Sequence, residues 1–177
     1  MIPESELITK LKRVRAVIFD VDGVLTNGGL IVGPKGEEYK RFNSRDGHGL
    51  RMLQNSGVTI AVITGRTSNV VAHRCAELGI EHLYQGCRDK RPAFESLTQT
   101  LGFSAAEFAY MGDDVIDLPV MRKVGVAMCV ADGHTFVKQH SHWVSNFDGG
   151  SGAVRDACEL IMRAHGTLND ILNSYLD

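Results

Sequence analysis

The chain has 177 residues, with 19 Lys and Arg against 21 Asp and Glu, a formal net charge of -2, and 44% hydrophobic and 23% charged residues. These proportions fit one globular domain over residues 1–177 and exclude a disordered, collagenous or coiled-coil chain. No basic excess draws the chain to nucleic acid or an anionic membrane surface, and no apolar run reaches the roughly 18 residues of a spanning helix.

The first residues, MIPESELITKLKRVR, lack the apolar stretch of a secretory signal, so a cytoplasmic protein is expected. Residues 3–12 read as a short amphipathic helix with Leu7, Ile8 and Leu11 on one face. Residues 16–19 are a continuous apolar run ending at Asp20, the pattern of a strand buried on both faces. A β-hairpin insertion follows over about 28–42, with the turn-rich Gly33-Pro34-Lys35-Gly36 at its tip. Residues 46–55 read as a helix, 58–63 as a second buried strand ending in Thr64-Gly65-Arg66, 68–78 as a helix and 82–84 as a short strand. Residues 90–101 read as a helix closed by Gly102, and 108–111 as a third strand ending in Gly112-Asp113-Asp114. A helix over 116–123, strands near 124–130 and 142–144, and a helix over 151–164 complete the pass, with a tail that can continue helical to Asp177. Strands alternating with helices predict an α/β fold: a Rossmann-like, mostly parallel sheet with helices on both faces, the small hairpin, and no cap domain.

The four cysteines, Cys75, Cys87, Cys129 and Cys158, form no C-x-x-C pair and read as buried thiols rather than disulfides or zinc ligands. His140 and His142 read as a surface pair leading into a strand.

Ligands of open α/β sheets bind beyond the carboxyl ends of the strands. Those ends carry Asp20-Val21-Asp22, Thr64-Gly65-Arg66 and Gly112-Asp113-Asp114. Helix capping accounts for one such cluster but poorly for all three. Carboxylates without histidine or cysteine select Mg²⁺ over zinc, and Mg²⁺ works with substrate phosphate. Asp20 is therefore the expected nucleophile and a metal ligand, with Asp22 and Asp113 completing the metal set. Asp22 also suits the acid that protonates the leaving oxygen and the base that then activates water. Thr64 offers a hydroxyl and its N–H to the phosphate, and Gly65 and Arg66 adjoin it. Lys90 offers a compact positive charge to the same phosphate. Asp114 and Asp117 would orient Asp113 or the metal waters from behind.

These residues resemble the haloacid dehalogenase superfamily, in its branch of phosphatases and phosphotransferases. Asp20-Val21-Asp22-Gly23-Val24-Leu25-Thr26 matches its D-x-D-x-[TV] motif, Thr64 its second motif, Lys90 its third, and Gly112-Asp113-Asp114 with Asp117 its fourth. The stretches 42–49, 83–86, 112–121 and 149–155 are similar to the superfamily's sugar-acid phosphatases, over nearly the whole chain. That resemblance implies hydrolysis of 3-deoxy-D-manno-octulosonate 8-phosphate through an aspartyl-phosphate, with Mg²⁺, by a homotetramer that serves bacterial lipopolysaccharide synthesis. His48 stands where many members have tyrosine, and Arg91 where an aliphatic residue is common. The chain between the motifs leaves no room for a separate cap domain. Subunits closing one another's sites would supply the missing cover, and the resemblance implies hairpins that meet at the tetramer centre.

Arg66 is the expected contact to substrate beyond the phosphate; Arg45, Arg74 and Arg88 are weaker candidates that read first as surface ion pairs. The 149–152 loop reads as a mobile gate or a plain connection. Two rival functions follow the same residues: a phosphatase for another sugar acid, such as a nine-carbon sialic-acid-type 9-phosphate, and a non-catalytic phospho-acceptor module. Asp22 argues against the second, because a long-lived aspartyl-phosphate wants no adjacent base.

Overall fold

The strands are β1 (Ala16–Phe19), β2 (Ile31–Val32), β3 (Glu38–Tyr39), β4 (Thr59–Ile63), β5 (His82–Tyr84), β6 (Phe108–Gly112), β7 (Val126–Cys129) and β8 (Trp143–Val144). In β1, Val17 and Phe19 pack on one side of the sheet and Ala16 and Ile18 on the other. The same alternation runs through β4, β6 and β7, so each strand contributes to two apolar layers at once. This is why these strands read as unbroken apolar runs instead of alternating ones. The coordinates, a computed structural model, describe residues 2–176.

Six strands form one sheet in the order β5-β4-β1-β6-β7-β8, and every pairing in it is parallel. β1 is central, with Ala16 in register with Thr59 on one side and Phe108 on the other. The chain first builds outward through β4 to β5, then returns to build outward through β6 to β8. The strand order therefore reverses at β1, and the crevice this leaves lies at the carboxyl ends of β1, β4 and β6.

Helices α1 (Glu4–Leu11), α2 (Ser44–Asn55), α3 (Asn69–Glu77), α7 (Ala153–His165) and α8 (Leu168–Asn173) cover the face of Val17 and Phe19. Helices α4 (Arg91–Leu101), α5 (Leu118–Met121) and α6 (Thr135–Gln139) cover the other. Local signals bound the helices: Asn43 Oδ1 accepts from Arg45 and Asp46 N–H and starts α2 two residues before the expected position, and Gly102 closes α4 as expected, at φ 67°. One cap is tertiary. Buried Asp46 accepts from the N–H groups of Gly152 (3.3 Å) and Arg155 (2.9 Å), so α2 caps α7 across 106 residues or more.

Four readings need correction. The helix expected over 116–123 is a 3₁₀ turn at Val115–Asp117 leading into a four-residue α5. Pro119 suits a helix start, and Asp117 is drawn inward by the site described below. The hairpin is real but its paired strands are only two residues each. α6 was not anticipated; it is a single short turn capped by His134, too short to carry a periodic signal. His142 is not a surface partner of His140: its Nδ1 accepts the Ala127 N–H at 2.8 Å, standing in for a ladder carbonyl between β7 and β8. The predicted tail helix is α8, and Asp177 lies outside the described residues. All four cysteines are free thiols, three buried and Cys87 half-buried.

Candidate active site

Asp20 leaves the end of β1 with 4% of its surface exposed. The chain then turns through 21–25, with Gly23 at φ 90°. A Cβ on Gly23 would sit 2.1 Å from Asp113 Oδ2, so only glycine lets this turn approach the aspartate. The 149–152 loop backs the same turn. A Cβ on Gly149 would fall 1.8 Å from the Gly23 carbonyl oxygen, and Gly150 N–H donates to the Val24 carbonyl at 2.8 Å. Asp132 holds Gly149 in place by accepting its N–H at 2.9 Å. Of the two readings of this loop, the packing is that of a fixed support.

Behind Asp20, Asp117 is fully buried and both its oxygens are engaged. Oδ2 accepts from the Asp113 and Asp114 N–H groups at 3.0 and 3.2 Å, and Oδ1 accepts from Lys90 Nζ at 2.6 Å and Tyr110 Oη at 2.7 Å. It thus fixes the backbone that presents Asp113. Lys90, the residue before α4, is 1% exposed. Its ammonium lies 2.9 Å from Asp20 Oδ1 and 3.1 Å from Tyr110 Oη, besides Asp117. An ammonium has three donors; two are hydrogen-bonded to Asp117 and Tyr110, and the charge faces Asp20. The lysine expected at the phosphate is also an internal counter-charge to Asp20 and Asp117. Tyr110, which sequence reasoning missed, completes the knot. Burial, then Asp117 and Asp20, push its phenol well above the ordinary value, so it stays a neutral donor.

The acidic oxygens of Asp20, Asp113 and Asp117 come within 4.8 Å of one another. Burial first, and then the Asp117 charge, push Asp20 up to about 6 against the pull of Lys90. Burial, then Asp117, Asp20 and Asp114, push Asp113 up to about 8. Asp113 Oδ1 is buried with no hydrogen-bond partner among the described residues, and Asp20 Oδ1 has the Lys90 charge but no well-aligned donor. Crowded carboxylates with unpartnered oxygens fit a hard divalent cation. Asp117, already saturated, fits the supporting position expected of it. Asp114 turns its side chain to cap the Val115 N–H, beside Asp113 rather than among the three.

The mouth of the site is built differently. A cavity of about 320 Å³ is lined by Asp20, Asp22, Thr64, Gly65, Arg66, Asp113 and Asp114, with Gly28, Leu30 and Ile116 at its edge. The Thr64 N–H is committed to the Tyr84 carbonyl at 2.9 Å, which leaves the hydroxyl as that residue's contribution. The Asp22 carboxylate lies outside the three-carboxylate group. It pairs with Lys40 Nζ and lies 3.9 Å from Arg66 Nε. Glu38 bridges the two bases, 3.2 Å from Arg66 Nη2 and 3.3 Å from Lys40 Nζ. Glu38 and Lys40 were not singled out from the sequence; their signal is the E-Y-K alternation that turns both inward from β3 while Tyr39 faces out.

Other candidates fall elsewhere. Arg74 bonds Glu77 at 2.8 Å, and neither it, Arg45 nor Arg88 lines the cavity. Arg91 pairs with Asp89 on the surface, and His48 packs edge-on against Tyr175 at 5.6 Å between ring centres.

Comparison with known proteins places this arrangement. A haloacid dehalogenase-like hydrolase family model matches residues 82–155. The 3-deoxy-D-manno-octulosonate 8-phosphate phosphatase of Escherichia coli K12 is 45% identical over 166 residues, covering 94% of this chain and 88% of that protein. The Yersinia pestis enzyme of the same name has a solved structure with a TM-score of 0.91 and 44% identity, covering 93% of this chain and 89% of its own. That of Moraxella catarrhalis, solved in complex with a magnesium ion, a phosphate ion and a KDO molecule, gives a TM-score of 0.95 at 38% identity and covers 98% of this chain and 99% of its own. With strand order, motif order and near-complete coverage in agreement, the chain belongs to the haloacid dehalogenase-like hydrolases, in the family of the 3-deoxy-D-manno-octulosonate 8-phosphate phosphatases.

Proposed function

We infer that this protein hydrolyses 3-deoxy-D-manno-octulosonate 8-phosphate to the free sugar acid and inorganic phosphate, with Mg²⁺ as cofactor, for lipopolysaccharide synthesis in the cytoplasm. The observation that carries the reading is the separation of the two D-x-D aspartates. Asp20 sits among the inner carboxylates, and Asp22 stands apart at the mouth.

Asp20 and Asp113 are the side chains suited to hold the metal, whose positive charge offsets the repulsion between a carboxylate and a phosphate dianion. An Asp20 oxygen attacks phosphorus, the phosphorus–ester oxygen bond breaks, and a proton carried by Asp22 passes to the departing oxygen. In the second half, Asp22 takes a proton from water, the water oxygen bonds to phosphorus, and the bond to Asp20 breaks. The Thr64 hydroxyl and Gly65 receive the phosphate, and Arg66 meets the sugar-acid carboxylate. Lys90 holds Asp20 and Asp117 in place, and Asp114 flanks Asp113. A single domain without a cap suits a homotetramer. Leu30, Ile31, Val32 and Tyr39 expose an apolar hairpin, the kind of surface a second copy covers.

The test is phosphate release from eight- and nine-carbon keto-acid phosphates with Mg²⁺, with chelator as control. The eight-carbon ester is expected to be preferred in kcat/KM, and a nine-carbon preference withdraws the substrate while keeping the chemistry. Folded Asp20→Asn is expected to lose at least about a thousandfold in kcat. Turnover at the unsubstituted rate would remove Asp20 as nucleophile.

A further inference from the structure

Lys40 is out of character with the hairpin that carries it. Ile31, Val32 and Tyr39 around it are more than half exposed, yet the Lys40 side chain is 1% exposed. Burying an ammonium is costly unless it is paired. Its partners are Asp22 Oδ1 and, at 3.3 Å, Glu38 Oε1. Glu38 also holds Arg66 at 3.2 Å, and Arg66 Nε returns to Asp22 Oδ2 at 3.9 Å. Two acids and two bases thus close a ring of zero net charge. It ties the hairpin, the turn after β1 and the turn after β4 to one another.

The ring settles where the Asp22 side chain lies. Asp20, Asp113, Asp114 and Asp117 crowd the strand ends, and Lys90 is the cation within hydrogen-bond reach of Asp20 and Asp117 there. A fifth carboxylate two residues from Asp20 could turn inward to share a metal or outward to meet a leaving group. Those are different jobs, and one rotamer cannot serve both. The hairpin decides it by offering a buried cation on the outward side.

We propose that Lys40 is a positioning residue of the reaction, holding the Asp22 carboxylate at the mouth, beside the departing oxygen and away from Asp20 and Asp113. The proposal rests on Asp22 being the proton carrier, as read above. Lys40 touches no reacting atom; its effect is on where Asp22 is. The hairpin is then part of the catalytic apparatus, because an apolar insertion lacking this lysine would leave Asp22 free to turn inward.

Positioning of a proton donor has a signature that loss of substrate contact or of folding lacks. An alkoxide cannot leave without a proton, phenolate needs one less, and p-nitrophenolate hardly at all. The experiment measures kcat/KM for the eight-carbon sugar-acid phosphate, phenyl phosphate and p-nitrophenyl phosphate in saturating Mg²⁺, for the unsubstituted protein, Lys40→Met, Lys40→Gln and Lys40→Arg. For Met and Gln the expected loss is about a hundredfold on the sugar ester, smaller on phenyl phosphate, and under about threefold on p-nitrophenyl phosphate. Lys40→Arg is expected to recover most of it. Ratios between esters on one preparation do not depend on how much of it is folded, so a destabilised variant still reports. Equal losses on all three esters, a loss confined to the sugar ester, or no loss overturns the placement of Lys40. An unsubstituted protein that releases no phosphate from any ester overturns the functional reading beneath it instead.

Discussion

Two lysines serve one set of carboxylates from opposite ends, by different means. Lys90 is delivered from the start of α4 into the sheet end, with a side chain of no exposure, and meets Asp117, Asp20 and Tyr110. Every partner sits on or beside a central strand. Lys40 directly follows a two-residue strand of a hairpin outside the main sheet, and its partners Asp22 and Glu38 are about one-fifth exposed. The inner end is therefore set by the core, where packing allows one arrangement. The mouth is set by an insertion, the kind of element that varies without cost to the core. Chemistry common to many esters belongs at the first; choice of ester and placement of the proton belong at the second.

The contrast can be broken most severely at the inner end. Lys90→Met removes the one cation from buried Asp117 and leaves Asp20 with unrelieved neighbours, so a loss of about 3–5 kcal/mol of stability is expected in urea unfolding. A loss below about 1 kcal/mol would mean that the knot around Asp117 is not a structural support.

A second test sharpens the contrast through pH. Asp20 and Asp113 have raised values in the folded, metal-free protein, about 6 and about 8. The folded state then binds more protons than the unfolded chain across the range between the ordinary carboxylate value and those raised values. Stability from these groups is complete in acid and lost as pH rises through them. The metal-free melting temperature is expected to fall from the ordinary carboxylate range up to about pH 8, and Mg²⁺ to raise it more at the higher pH, where it need not displace protons. An equal gain at both ends of that range would place the metal elsewhere.

The smallest effect on stability is expected at the mouth. Arg66 is half exposed, and its pairs with Glu38 and Asp22 are screened by solvent, so Arg66→Gln should change stability by less than about 0.5 kcal/mol. The same change should raise KM for a keto-acid phosphate about tenfold or more and leave p-nitrophenyl phosphate nearly untouched, if Arg66 meets the substrate carboxylate. Equal KM changes on both would return Arg66 to a surface ion pair.

Much of this site could be read from the chain, because its residues sit where strands end. An apolar run that ends in polar residues needs no third dimension to announce a polar group at a sheet edge, and three such runs announce a shared one. The rest was less legible for particular reasons. Tyr110 looks like one more apolar strand residue until the sheet turns its hydroxyl toward Asp117. Lys90 carries a charge that sequence assigns naturally to a phosphate, and only its burial among Asp20, Asp117 and Tyr110 adds the inward role. Glu38 and Lys40 look like ordinary solubilising charges on a short hairpin. His142 reads as a surface residue and Asp46 carries no signal of burial, yet each satisfies backbone N–H groups of another element.

Alone, the sequence determined the alternating elements, the parallel sheet and the meeting of three acidic and hydroxyl-bearing strand ends, because periodicity and order along the chain are local properties that the crossover rules turn into topology. The tertiary structure decided which oxygen faces which nitrogen: Asp117 saturated behind Asp113, Asp20 inward with Lys90, Asp22 outward with Lys40. Those choices depend on distances between residues tens of positions apart. Burial decides them, since it makes each unpaired charge costly enough that only one set of partners satisfies them together.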